Sequence, residues 1–143
     1  MPRQPSDAIT AKHLEFIQAV ITRQASNSFL LKGWTVTVAG ALYAFNSTHL
    51  NWRLAMLGLL VVAAFWWLDA YFLRQERLFR CLYDEVRSAS SEIESFTMST
   101  AGFRDRKKNS YSSCIFSMTL GVFYGIVEAV GIALLVASSY HAG

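Results

Sequence analysis

The sequence predicts an all-α integral membrane protein with three transmembrane helices, an amphipathic N-terminal helix and a cytoplasmic extension of the second span. Three long stretches are apolar, the charges lie mostly outside them, and the polar stretches have helical periodicity. Hydrophobic residues make up 53% of the chain, and the mean hydropathy is +0.29. A soluble domain of 143 residues would have too little chain left to cover these stretches.

The N-terminal segment, residues 1–28, reads as a cytoplasmic amphipathic helix. Apolar side chains recur at helical spacing with polar residues between them, at Ile9, Leu14, Ile17 and Ile21. Such a helix lies along the membrane surface or packs on another cytoplasmic helix, and the sequence leaves both arrangements open.

Residues 29–73 form the predicted two-span hairpin, with spans at 29–45 and 54–73. A helix needs about 20 residues to cross the hydrocarbon, so the first span is short and requires Lys32 to extend toward the headgroups. The second span continues beyond the membrane because residues 71–87 contain neither Gly nor Pro. Residues 74–113 are therefore expected to be a cytoplasmic helix followed by a Ser-rich basic linker, with a short helix near 92–98.

The third span, residues 114–138, contains a single charge, Glu128, and residues 139–143 follow as a tail. Small and polar residues recur along this span at three- or four-residue steps, which places them on one helix stripe. These are Cys114, Ser117, Gly121, Gly125, Glu128 and Gly131. The stripe predicts an oligomerisation or pore face at Ser117, Gly121, Gly125 and Glu128.

The sequence allows three interpretations of Glu128. Glu128 serves self-association or permeation, it hydrogen-bonds within the chain to a group such as Thr35 or Thr37, or it is a protonated carboxyl without a further role. The small face of the first span, at Gly33, Thr37, Gly40, Ala41 and Ala44, is expected to pack inside the hairpin, with a subunit interface as the alternative.

The distribution of Lys and Arg predicts the orientation. Of the 13 basic residues, Arg53 alone lies in the hairpin loop. The N-terminus and the segment between spans two and three are therefore cytoplasmic, and the C-terminus is periplasmic. Four cations directly before span three are expected to contact lipid headgroups: Arg104, Arg106, Lys107 and Lys108.

An interhelical ion pair is predicted between Lys32 and Asp69. Counting back from the hairpin tip places these two residues at the same depth on antiparallel helices. The alternative is that each side chain extends separately to the interface.

Catalytic and metal-binding patterns are missing from the sequence. It has no GxSxG, Gly-rich phosphate loop, HExxH or paired-Cys motif, and His13, His49 and His141 are scattered. We therefore expect no enzyme activity, no cofactor and no metal. Nucleic acid is not an expected partner, because topology accounts for the basic residues.

Two stretches resemble a family of small bacterial inner-membrane proteins. Residues 13–34 contain NSF and KGW separated by two residues, and residues 68–87 contain LD-x-Y-x-L-x2-ER-x-FR-x-LYD-x-V. The layout also resembles, more loosely, the two-span SLATT-type effectors of antiphage systems, with which the chain shares a hairpin and a long helix. This chain departs from that pattern in its third span.

The resemblance implies a bacterial inner-membrane effector of antiphage defence that oligomerises and disrupts the membrane when triggered. The expected partners are the lipid bilayer, further copies of the chain, and a cytoplasmic signalling partner or nucleotide second messenger. The alternative is a constitutive membrane scaffold or accessory subunit that docks a cytoplasmic partner.

Overall fold

A computed structural model of the chain describes residues 5–49, 51–88 and 96–141. Within these ranges the regular structure is helical. It consists of α1 (Pro5–His49), α2 (Trp52–Arg87), α3 (Tyr111–Ile115), α4 (Met118–His141) and 3₁₀ turns at Ala101–Phe103 and Lys107–Asn109. Helices α1, α2 and α4 are long and apolar enough to cross a membrane, which confirms the three candidate spans.

Helices α1 and α2 form an antiparallel hairpin, and α4 packs mainly against α2. Two asparagines shape the hairpin turn. The Asn46 side chain is buried and accepts a hydrogen bond from the Asn51 backbone N–H at 2.9 Å, and the Asn51 side chain accepts one from the Arg53 N–H at 3.0 Å. Asn51 is thus the N-cap of α2, which fixes where the chain reverses.

Helix α1 is continuous, so the expected boundary between residues 1–28 and the first span does not break the helix. One stripe of buried residues at helical spacing runs along its whole length, from His13, Ile17 and Ile21 to Thr35 and Ala39. Because both parts of α1 pack through the same stripe on the equally continuous α2, nothing favours a bend between them.

The N-terminal part of α1 packs on the far end of α2. Ile17 and Ile21 form one apolar cluster with Leu78, Leu82 and Val86. Of the two arrangements that the sequence left open for the N-terminal helix, the structure has the helix-on-helix one.

The expected linker is partly packed rather than separate from the helices. Phe103 and Asn109 are buried, and the Asn109 side-chain amide donates to the Phe103 carbonyl at 2.8 Å. Arg74 donates to the Asn109 carbonyl at 2.8 Å, and Arg77 donates to the Lys108 carbonyl at 2.9 Å. Of the expected helix at 92–98, residues 92–95 lie outside the described ranges, and 96–98 are not helical.

The third span is interrupted at its start, contrary to the prediction of one helix over 114–138. Helix α3 ends at Ile115, and α4 begins at Met118. Ser117 causes the restart, because its carbonyl accepts from Gly121 N at 2.8 Å and its hydroxyl accepts from Leu120 N at 3.4 Å. Ser117 is therefore a helix cap, and the predicted stripe loses its continuity with Cys114.

The small face of α1 does not pack inside the hairpin, so this expectation was wrong. Gly33, Thr37, Gly40, Ala41 and Ala44 are all exposed. The hairpin instead packs through the opposite side of α1, whose bulkier and polar side chains fit against α2. Gly40 borders a cavity that is also lined by Ile126 and Val130 of α4, and Gly33 and Thr37 lie on the outer surface of α1.

Candidate functional site

A buried carboxylate, Asp69, joins the three long helices. Asp69 on α2 has no solvent exposure. It accepts hydrogen bonds from Ser28 Oγ, from Lys32 Nζ at 2.6 Å and from Tyr124 OH at 3.1 Å. Ser28 and Lys32 belong to α1 and Tyr124 to α4, so one carboxylate binds side chains from both neighbouring helices.

The local sequence explains how these donors converge. Ser28 and Lys32 are four residues apart and lie on one face of α1, and Lys32 also donates to Ser28 Oγ at 2.8 Å. On α4 the buried Tyr124 ring stacks on Trp66, with ring centroids 5.8 Å apart. Trp66 in turn donates to the Ile115 carbonyl at 3.1 Å, which ties α3 to the same place.

The cluster around Asp69 stabilises the arrangement of the helices. A carboxylate out of water is costly unless it is paired and hydrogen-bonded, and Asp69 has one counter-charge and two hydroxyl donors. Moving any of the three helices along its axis would separate Asp69 from a donor. The cluster therefore fixes the relative depths of α1, α2 and α4.

The structure contains the Lys32–Asp69 ion pair that was predicted from the hairpin geometry. Sequence reasoning missed Ser28 and Tyr124. The four-residue spacing between Ser28 and Lys32 could have indicated that Ser28 belongs to the site. No sequence signal sets the depth of α4 against the hairpin, so Tyr124 could not have been assigned to Asp69.

Glu128 follows Tyr124 by one helical turn and lies at the edge of the side of α4 that packs on the other helices. Its carboxylate is partly exposed and makes no hydrogen bond within the described residues. The hydroxyl groups of Thr35 and Thr37, which were considered as its partners, donate instead to the backbone carbonyls of Leu31 and Gly33. In this structure Glu128 therefore makes no hydrogen bond to either threonine.

The glycines on the predicted stripe have two kinds of surroundings. A methyl group placed on Gly121 or Gly125 would meet no atom of the described chain within 4 Å. A methyl group on Gly131 would lie 2.7 Å from Leu59 Cδ2 and would clash with the Tyr43 hydroxyl. Gly131 thus belongs to the packing within one copy, whereas Gly121 and Gly125 are unpartnered.

Tyr43 explains why Gly131 must be small. Its ring also lies against Gly58 on α2, where an added Cβ would be 2.5 Å from Tyr43 Cε1. Tyr43 is thus enclosed between glycines of α2 and α4. Its hydroxyl has no hydrogen-bond partner among the described residues, and Glu128 is close enough to act on it electrostatically.

The four predicted headgroup cations, Arg104, Arg106, Lys107 and Lys108, are exposed. We call residues 104–108 the basic segment. It is held at α2 by the Arg74 and Arg77 hydrogen bonds, and the Arg106 guanidinium lies 5.0 Å from the Phe103 ring centre. The side chains are therefore presented outward from a fixed backbone.

Within the part of the chain that the structure describes, no three His, Cys, Asp or Glu side chains lie together in a way that could hold a metal ion. Cys81 and Cys114 are free thiols. Cys114 is buried beside Arg77, whose guanidinium lies 3.6 Å from its sulfur.

Comparisons of the chain with protein-family models, with curated proteins and with solved structures find no significant match.

Proposed function

We propose that this protein is a membrane effector of bacterial antiphage defence, which oligomerises and permeabilises the inner membrane when triggered. The observation that carries the proposal is the side of α4 that bears Gly121, Gly125 and Glu128. It combines a carboxylate without a hydrogen-bond partner with two glycines that have open space beside them. Ionisable groups at membrane depth usually face other helices, a cavity or an ion pathway.

Self-association accounts for the glycines. Because no atom of the same copy packs against these glycines, they allow the backbone of a helix from another copy to approach closely. Gly121→Leu and Gly125→Leu should therefore lower the oligomer mass in lipid nanodiscs. Val122→Leu, which adds bulk at an exposed neighbouring position of α4, is the matched control and should leave the mass unchanged.

Permeabilisation is tested by expression in cells. We expect the triggered or overexpressed protein to depolarise the membrane and to slow growth. Glu128→Gln removes the ionisable group but keeps the shape and the ability to hydrogen-bond. Glu128→Leu removes both the ionisable group and the ability to hydrogen-bond. Loss of depolarisation in both variants would support permeation through Glu128, and loss in the Leu variant alone would support a packing role. A triggered wild type that leaves the membrane potential intact would refute the effector proposal.

The orientation is part of the proposal. The N-terminus and the basic segment are cytoplasmic, and the C-terminus is periplasmic, as the positive-inside rule requires. Alkaline phosphatase fused after Gly143 should be active, and the same enzyme fused before Met1 should be inactive. In this orientation Arg104, Arg106, Lys107 and Lys108 meet anionic headgroups at the inner surface.

The cytoplasmic extension is the proposed receiver of the trigger, which is a signalling partner or a nucleotide second messenger. It consists of the N-terminal part of α1 and the C-terminal part of α2, packed together through Ile17, Ile21 and Leu82. A change in this packing would reach the membrane directly, because both helices continue into it without a break.

A constitutive scaffold is the second candidate, and one observation favours it. Ile9, Phe16 and Phe96 are exposed at the cytoplasmic extension, and the rings of Phe16 and Phe96 lie 6.2 Å apart. Exposed apolar groups outside a membrane are suited to docking a soluble partner. Stable co-purification of a soluble partner with a chain that never depolarises cells would favour the scaffold.

A further inference from the structure

The Glu128 carboxyl makes no hydrogen bond to the described residues of its own copy. Lipid tails offer no donor or acceptor, and a polar group without a partner in hydrocarbon is unfavourable. In the same copy the Tyr43 hydroxyl is also without a hydrogen-bond partner, but it makes no bond to the Glu128 carboxyl. Another copy of this chain is the partner that self-association would bring to this depth.

The exposed side of α1 has a surface suited to that role. A methyl group on Gly33 or Gly40 would meet no atom of the described chain within 4 Å, so another helix could approach closely. Between these glycines, Thr37 is exposed and donates its hydroxyl hydrogen to the Gly33 carbonyl at 3.0 Å. The Thr37 oxygen retains lone pairs that can accept a hydrogen bond.

The two surfaces have the same spacing. Gly33, Thr37 and Gly40 follow one another at steps of four and three residues, as do Gly121, Gly125 and Glu128. Each set therefore occupies one side of its helix, with its members at matching intervals.

The two surfaces also lie at the same depth. Helices α1 and α4 run in the same direction, and two contacts set their register. Tyr43 reaches Gly131, and the Thr35 side chain lies beside the Tyr124 hydroxyl. This register brings Thr37 level with Gly125, one turn below Glu128. Helical side chains tilt toward the helix N-terminus, so the Glu128 carboxyl extends toward the Thr37 level.

We infer that neighbouring copies associate head to tail, with the Gly121–Gly125–Glu128 face of α4 in one copy packed on the Gly33–Thr37–Gly40 face of α1 in the next. The Glu128 carboxyl, in its protonated form, then donates its O–H hydrogen to the Thr37 hydroxyl oxygen of the next copy. This inference rests on the self-association proposed above and specifies its surfaces.

The head-to-tail arrangement has a consequence for the assembly. The contact joins two different surfaces. A dimer therefore keeps one free α1 surface and one free α4 surface, and further copies can add by the same contact. Copies in a bilayer share one orientation, so the repeat turns about an axis normal to the membrane and forms a ring if the rotation between copies closes. Association through α4 alone would instead pair identical surfaces.

Cysteine crosslinking distinguishes the two arrangements. Ala44 and Ile132 are exposed, follow the two surfaces by one turn and are at matching depth. In a background with Cys81→Ser and Cys114→Ser, Ala44→Cys and Ile132→Cys chains with different tags are co-expressed and oxidised in native membranes. We expect a mixed dimer, and none when Ala133→Cys replaces Ile132→Cys, because Ala133 points elsewhere on α4.

The outcomes separate this inference from the proposed function. Disulfides between two Ile132→Cys chains without a mixed product would overturn the head-to-tail contact while leaving self-association intact. A chain that stays monomeric in lipid and forms no crosslink would refute both proposals.

The hydrogen bond itself is tested by a double-mutant cycle on association in liposomes, measured by energy transfer between labelled copies. Thr37→Val should raise the dissociation constant about 3- to 20-fold, the range of interhelical hydrogen bonds in membranes. Added to Glu128→Leu, Thr37→Val should have no further effect, because the bond is already lost. Thr119→Val, an exposed threonine elsewhere on α4, is the control. Independent, additive effects of the two substitutions would overturn the assigned pair.

Discussion

Breaking the Lys32–Asp69 pair from either side should have unequal effects. The two side chains differ in burial, because the Asp69 side chain has no solvent exposure and the Lys32 side chain is 21% exposed. Lys32→Met leaves a buried carboxylate with two hydroxyl donors and no counter-charge. Removing one partner of a buried ion pair in this way costs about 3–5 kcal/mol of the free energy of unfolding.

Asp69→Asn should cost less. Ser28 and Tyr124 donate to different oxygens of the carboxylate, so the amide oxygen keeps one of these two donors. The partly exposed Lys32 ammonium can extend toward the headgroups. The expected loss is about 1–2 kcal/mol, the upper range for hydrogen bonds between membrane helices. The double variant Lys32→Met with Asp69→Leu should be more stable than Lys32→Met alone, because it leaves no buried charge.

The measurement is the free energy of unfolding from SDS titration in mixed micelles, followed by tryptophan fluorescence. Lys12→Met is the control, because Lys12 and Glu15 form an ion pair of similar length, 2.8 Å, between exposed side chains. Its loss should change stability by less than about 1 kcal/mol. Equal losses for Lys32→Met and Lys12→Met, or a larger loss for Asp69→Asn than for Lys32→Met, would refute the reasoning.

Three further predictions concern other contacts. Tyr124→Phe removes one donor to the buried carboxylate and should lower stability in the same titration by about 0.6–1.7 kcal/mol. Gly131→Ala overfills the junction of the three helices and should cost about 1–3 kcal/mol, whereas Gly125→Ala, with open space beside it, should leave the stability of a single copy unchanged. Asn109→Ala removes the hydrogen bond to the Phe103 carbonyl, so trypsin should cleave the basic segment faster than in the wild type. An unchanged cleavage rate would show that this bond does not hold the segment.

Several features of the fold could be predicted because they depend on local sequence. The lengths and polarity of the apolar stretches determine which helices can cross a membrane. Because neither Gly nor Pro occurs between Tyr71 and Arg87, α2 continues beyond the membrane span. The Lys32–Asp69 pair also followed from local counting, because a short antiparallel turn sets the relative depth of its two helices.

Other features depend on contacts between distant parts of the chain. The sequence shows small faces on α1 and α4 but does not state which side of each helix packs inward, because Gly and Ala suit an internal seam and an external one equally. The structure decides this through Tyr43, which fills the junction next to Gly58 and Gly131 and leaves Gly121 and Gly125 free. Likewise, the 30 residues 88–117 separate α2 from α4, so no local rule sets the depth of α4. The bond between Tyr124 and Asp69 sets that depth, because a hydroxyl on α4 has to reach a carboxylate buried on α2.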